Sequence, residues 1–434
     1  MLDIKFIFEN QKFLEEVAKT KKIDIDVAEL IKIYQNKKEL TIKLEELQKQ
    51  RNENSDAMKN ITKLSETEKD KLIKKGKDIK KEINKLEDKI KPLEQKFTTQ
   101  MMMVPNVYSN DTPVGDSDED NKEVFKWGEL PKFNFEPKDH LELAKSLDLI
   151  DFEKGVKVSG FRGYFLKKEA VLMQLGLIML GIEKMQKNGF ELMITPTLIK
   201  EFALIGSGHF PFGKEEIYKI GNPHRLEDEN KEDVFLAGTS ESSLLAYNSD
   251  QTFEEKDLPI KICGFSPCYR SEVGSYGRDT KGIYRIHEFM KVEQVVICQA
   301  DLKEGDKWLQ KMRKISEEML QALKLPYRVL AICTADMGAG KYKMFDIETY
   351  MPSRDSYGET HSDSFLTDWQ ARRLNIKYKT KSGETKYAYT LNNTVIASPR
   401  ILIAILENYQ QADGSVKVPK VLQKYVGKKV INKK

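Results

Sequence analysis

Two arginines, one aromatic residue and two carboxylates recur at even spacing within residues 260–297: Arg270 and Glu272, then Arg285, Phe289 and Glu293. Strand-like runs over 261–273 and 283–297 flank the charged, glycine-rich stretch Gly274-Ser-Tyr-Gly-Arg-Asp-Thr-Lys-Gly282, which predicts a long antiparallel hairpin. Side chains alternate faces along a strand. Tyr284, Ile286, Met290 and Val292 should therefore pack on one face, while Arg285, Phe289 and Glu293 line the other over about 13 Å. An arginine suits a phosphate, an aromatic plane suits a base, and a carboxylate suits a small polar ligand. Singly, each also fits the exposed face of a hairpin with incidental ion pairs; it is the combination that points to a binding face.

A further cation stands near the C-terminus. Residues 389–397 read as a strand, and Ser398-Pro399 reads as a helix start with serine as N-cap and proline at the first helical position. Arg400 then falls in the first turn, where the helix dipole already favours an anion. No GxxxxGK[ST] or GxGxxG loop occurs, so a nucleotide site here must be built without a phosphate-cradling glycine loop.

The rest of the chain supplies a frame for these groups. Leu30, Ile33, Leu40, Leu44 and Leu47 recur at helical spacing, and Leu72, Ile79, Ile83, Leu86, Ile90, Leu93 and Phe97 follow a heptad pattern. The seam weakens between Arg51 and Thr67, where Asn52, Asn54 and Asn60 collect, which predicts two antiparallel helices joined by a turn. Residues 28–97 carry 19 Lys or Arg against 14 Asp or Glu, about +5, whereas the whole chain carries +4. A basic, free-standing arm is favoured over a helical pair folded onto the body. Residues 101–123, with Pro105, Pro113, Gly115 and an acidic run, read as a linker between an N-terminal domain (1–100) and a body (124–434).

The 434 residues suffice for two domains. The longest apolar stretch, 170–182, is broken by Gln174 and two glycines and is too short to span a bilayer. The N-terminus soon becomes charged, so no cleavable signal and no membrane association are expected, and a cytoplasmic location is the default. Cys263, Cys268, Cys298 and Cys333 form no CxxC pair and the five histidines are scattered, which argues for buried free thiols and against a zinc site.

These motifs carry a resemblance. Arg270-Ser-Glu272, the GSxGRDTxG stretch and the Arg285…Phe289…Glu293 run resemble motif 2 of class II aminoacyl-tRNA synthetases in its seryl version. Residues 392–400, continuing into Ala404-Ile-Leu-Glu-Asn-Tyr-Gln-Gln-Ala-Asp-Gly-Ser, resemble motif 3, and 189–196 resembles motif 1, a dimer-interface element. The resemblance implies an α+β fold: an antiparallel-sheet catalytic domain with an N-terminal coiled-coil hairpin that grasps tRNA(Ser). It implies a homodimeric serine–tRNA ligase that uses L-serine, ATP and Mg²⁺.

Residue by residue, the resemblance implies that Thr239 and Glu241 hold the serine ammonium and that Glu293 with Thr394 recognises its hydroxyl. Arg270 would meet the serine carboxylate and the α-phosphate, Glu272 and Phe289 the adenine, Arg285 the phosphates and Arg400 the γ-phosphate. Glu359 and Ser362 would hold Mg²⁺. Arg270, Glu272 and Arg400 would thus form the catalytic set.

The chain also departs from the family pattern. Where members commonly read Arg-Glu followed by Ser-Cys-Ser-Asn-Cys, it reads Gly358-Glu-Thr-His-Ser-Asp-Ser-Phe-Leu366; Asn393, Val395 and Pro399 stand where bacterial members often carry glycines. The alternatives are a catalytically impaired relative that binds tRNA or another partner, a ligase for a carrier protein, and a coiled-coil interaction protein. The retained arm opposes the second, and the motifs after Met101 oppose the third.

Overall fold

A computed structural model describes residues 1–59, 65–221, 232–273 and 282–433. The chain divides into two compact units, Leu2–Pro105 and Asn106–Lys434. The tip of the arm and the 274–281 part of the charged stretch lie outside the described residues.

The first unit is dominated by two long helices, Val27–Met58 and Glu66–Met103, which pair as a hairpin. Each begins at a sequence-encoded cap. Asp26 accepts from Glu29 N at 2.8 Å, and Ser65 forms a capping box with Glu68. Leu30, Ile33, Ile79, Ile83 and Ile90 are buried in the seam, and Tyr34 stacks on Phe97 with centroids 6.0 Å apart. Two expectations need correction. Asn54 is not a turn residue but a seam residue, donating from Nδ2 to the Leu72 carbonyl at 3.1 Å. Gly76 makes room for it, since a Cβ there would stand 3.0 Å from Asn54 Nδ2. The second helix also runs through Pro92 to Met103, three residues into the expected linker.

The second unit is built on an eight-stranded sheet. Its strands are β1 (Lys122–Trp127), β2 (Glu191–Ile194), β3 (Ile260–Tyr269), β4 (Glu288–Cys298), β5 (Tyr327–Ala331), β6 (Lys343–Met351), β7 (Ser356–Phe365) and β8 (Tyr389–Ala397). The spatial order is β1-β5-β6-β7-β8-β4-β3-β2, antiparallel except for β2 beside β3. Helices Lys168–Lys187, Leu302–Ala322 and Ser398–Asn408 share one hydrophobic core with this sheet, contributing Leu177, Leu309 and Leu402. Strand alternation then leaves residues such as Glu293 and Thr394 for the other face. Lys122 and Glu123, expected in the linker, already pair in β1 with Ala331 and Leu330.

All four cysteines are buried and free. No helix among the described residues is long and apolar enough to cross a membrane.

Candidate active site

The expected hairpin forms, but its ladder is shorter than the sequence suggests. β3 and β4 pair from Ile260↔Ile297 to Tyr269↔Glu288, and one further bond joins Arg270 N to His287 O at 3.0 Å. Glu272 then adopts a left-handed backbone (φ 52°) and Gly282 another (φ 66°), so 283–287 does not continue the strand. Parity therefore sorts the faces only in part there. Tyr284 and Ile286 pack into the core as expected but also line a cleft, while Arg285 turns to pair with Glu272.

That cleft gathers ten of the eleven residues singled out from the sequence. Thr239, Glu241, Arg270, Glu272, Phe289, Glu293, Glu359, Ser362, Thr394 and Arg400 all line it. Arg285 stands just outside the lining, its guanidinium 3.1 Å from Glu272 Oε2.

One end is a dense polar network. Thr239 caps the helix Ser240–Tyr247, its hydroxyl accepting from Glu241 N at 3.3 Å and from Lys291 Nζ at 2.6 Å. Lys291 also pairs with Glu293 Oε2 at 2.7 Å, and Thr394 donates to the same oxygen at 3.3 Å. Burial pushes the Glu293 carboxyl up, against the pull of Lys291. Glu241 is equally buried but is held below the ordinary range. There burial acts to raise it, while Lys341, a hydrogen bond from Gln370 and Lys291 act to lower it. Glu241 Oε1 accepts from Gln370 Nε2 at 2.7 Å and from Asn392 Nδ2 at 2.9 Å.

The middle is a cation over a ring. Arg270 holds the Gly238 carbonyl through Nε at 3.3 Å, and its guanidinium lies 5.6 Å from the centroid of Phe289. The far end carries Arg400. Its guanidinium donates to the Glu359 carbonyl at 2.9 Å, pairs with the Glu359 carboxylate at 3.1 Å and stacks 4.5 Å from the Tyr284 ring. Burial acts to raise Glu359, and Arg400 together with Arg270 and Arg285 more than offsets it, so the carboxyl stays below its usual range. The helix cap differs from expectation: Ala397 is the N-cap, and the Ser398 hydroxyl donates to Gln174 Oε1 at 3.1 Å. Arg400 still falls in the first turn.

The departures from the family pattern form a complementary set. Asp363 stands directly opposite Asn393 on the β7–β8 ladder, and neither lines the cleft. Phe365 meets Tyr342 and Tyr389 at centroid distances of 5.4 and 5.6 Å. A Cβ at Gly358 would lie 3.0 Å from the Tyr284 hydroxyl, so glycine there lets the Arg400 platform close on β7.

A hard divalent cation fits the Glu359 end. Glu359 and Ser362 are oxygen donors, and Asp346, opposite Ser362 on the ladder, has a buried Oδ1 with no hydrogen-bond partner. The described residues contain no cluster of three His, Cys, Asp or Glu with metal-ligand geometry.

The sequence missed Lys291, Asn392, Gln370, His209 and Lys341. Lys291 shares the parity of Phe289 and Glu293, and Asn392 shares that of Thr394, so alternation could have found both. His209, Lys341 and Gln370 come from remote segments and carry no such signal.

Comparison with known proteins agrees with this geometry. Residues 224–409 match the class II tRNA synthetase core domain (G, H, P, S and T), and residues 1–108 match the seryl-tRNA synthetase N-terminal domain. A serine–tRNA ligase of Deinococcus radiodurans is 41% identical over 427 residues, 98% of each chain. One of Treponema denticola is 43% identical over 429 residues, 98% of this chain and 99% of that protein. The structure of seryl-tRNA synthetase from Pyrococcus horikoshii complexed with ATP superposes with a TM-score of 0.89 at 34% identity, covering all of both chains. The cytoplasmic serine–tRNA ligase of Naegleria fowleri in complex with AMP gives 0.85 at 30%, covering 100% of this chain and 99% of that one. The chain belongs to the seryl-tRNA synthetases, class II serine–tRNA ligases with a helical N-terminal arm.

Proposed function

We propose that this cleft activates L-serine with ATP and passes it to tRNA(Ser), with the residue roles that follow. The observation that carries the reading is that Glu241, Glu293 and Thr394 converge at one end of a cleft whose other end holds Arg400 and Glu359, with Arg270 between them. Glu241 and Thr239 receive the serine ammonium. Glu293, held by Lys291, and Thr394 receive its side-chain hydroxyl. Alanine would leave that buried pair without a partner, which is a strong ground for rejecting it.

Arg270 meets the serine carboxylate and the α-phosphate while lying over Phe289. Phe289 stacks on adenine, and Glu272, braced by Arg285, meets the edge of the base. Arg400 takes the γ-phosphate end. Glu359 and Ser362 hold Mg²⁺, which when bound neutralises phosphate charge. No side-chain nucleophile is required. The substrate carboxylate attacks the α-phosphorus in line, pyrophosphate leaves, and the protein contributes position and fixed positive charge. The tRNA 3′-terminal hydroxyl then attacks the acyl carbon and releases AMP.

Two further elements complete the proposal. The arm, with its excess of lysine, binds tRNA(Ser). The chain works as a homodimer through the apolar residues left exposed on helix Lys168–Lys187 and at β2: Val171, Leu172, Leu175, Met179 and Ile194. Serine-dependent ATP–pyrophosphate exchange tests the chemistry, run with serine, alanine and threonine. Exchange with serine is expected; silence with all three overturns the reading.

A further inference from the structure

The serine end of the cleft contains one group with no role so far. His209 lines the cleft, and among the described residues its ring is anchored through Nδ1, which lies 2.8 Å from the Ser207 hydroxyl and 3.3 Å from the Ser242 hydroxyl. The hydroxyl contacts favour one tautomer. Ser207 has one hydroxyl proton, given to the Ala203 carbonyl at 2.9 Å, and two lone pairs. The lone pairs accept from Ser242, at 2.8 Å, and from His209 Nδ1–H. The opposite ring nitrogen, Nε2, then carries a lone pair, on a residue that lines the cleft.

The ring also stays neutral. Burial pulls its pKa down to about 4; Glu241 acts the other way, and Lys341, Arg270 and Lys291 add to the lowering. Beside Glu241 the cleft therefore presents a neutral acceptor, not another cation.

An ammonium has three N–H donors. On the reading above, Glu241 receives the ammonium beside Thr239, whose hydroxyl already accepts from Glu241 N and Lys291 Nζ, so a further acceptor is needed. We propose that His209 supplies it: Nε2 accepts a hydrogen bond from the α-ammonium of serine, making His209 a substrate-binding residue. The inference rests on the assignment of this end of the cleft to serine.

The test compares His209→Asn, His209→Gln and Glu241→Gln in pyrophosphate exchange. Asn can copy Nδ1 but does not reach the Nε2 position, so H209N should raise KM for serine at least tenfold while KM for ATP stays within about twofold. Gln places its amide oxygen near Nε2 and should recover most of that loss. In ¹⁵N spectra of the intact enzyme, the His209 Nε2 signal should move upfield when serine is added, with Nδ1 remaining protonated. If H209N binds serine as the wild type does, or Nε2 does not move, the proposal is overturned. The Glu241→Gln result tells which layer failed: a raised KM for serine there confines the failure to His209, and an unchanged one removes the serine assignment itself.

Discussion

Lys291 Nζ stands 2.7 Å from Glu293 Oε2, two residues along the same strand, with both side chains almost sealed from solvent. Alternation puts the two on one face of β4, and the Thr239 hydroxyl completes the ammonium's contacts at 2.6 Å. A buried pair of this kind adds little net stability when intact, but breaking it leaves a charge stranded. Lys291→Met should therefore destabilise the protein by about 3–5 kcal/mol. It should also raise the Glu293 carboxyl further, since Lys291 is what opposes burial there. Denaturant unfolding and serine-dependent exchange both read this change.

Thr394→Ala removes the hydroxyl that donates to Glu293 at 3.3 Å. Losing one hydrogen bond to a charged group is worth about 1.5–3 kcal/mol, which is roughly a 10- to 150-fold fall in kcat/KM for serine. The preference for serine over alanine should shrink in step. Competition assays with the two amino acids would show it, and an unchanged ratio would remove Thr394 from the hydroxyl site.

Arg400 combines a carbonyl contact, an ion pair with Glu359 and a ring stack on Tyr284. Lysine keeps the charge but neither the fork nor the stack. Arg400→Lys should raise KM for ATP at least tenfold and leave KM for serine nearly constant. Glu359→Gln should shift the Mg²⁺ concentration needed for half-maximal exchange upward, as read by a Mg²⁺ titration at fixed ATP.

Asp363 has two buried carboxylate oxygens without hydrogen-bond partners, and burial holds its carboxyl well above the usual range despite the pull of Arg313. The folded chain thus keeps a proton that the unfolded chain gives up above about pH 4. The unfolded state binds fewer protons in that window, so the residue makes stability fall as pH rises. Asp363→Asn should raise Tm, by more at pH 8 than at pH 4. A gain of about 1–3 kcal/mol at neutral pH is expected, and thermal unfolding across that pH range checks it.

Deleting residues 28–97 should leave serine-dependent exchange intact and abolish aminoacylation of tRNA(Ser). Among the described residues the cleft is lined from His209 to Arg400, and none of these groups is removed. Charging by the truncated protein at the full-length rate would refute the role given to the arm.

Much of this molecule is legible in one dimension. The heptad spacing of Ile79, Ile83 and Ile90 reports a seam because helical period alone decides which side chains share a face. The alternation of Phe289 and Glu293 reports a common wall for the same reason. Local rules failed where backbone geometry stopped being regular. Once Glu272 and Gly282 took left-handed conformations, the parity of 284–286 no longer sorted core from cleft, and Arg285 turned to pair with Glu272.

The sequence by itself determined the arm, the strand faces and the residue types that a nucleotide and a small polar amino acid require. Only the tertiary structure decided who supports them. Gln370, on the helix Trp369–Leu374, reaches Glu241 across 129 residues, and Asn392, on β8, reaches it across 151. Period and alternation act over a few residues, whereas the electrostatic state of a buried carboxylate is set by whichever distant groups the sheet register brings within hydrogen-bond reach.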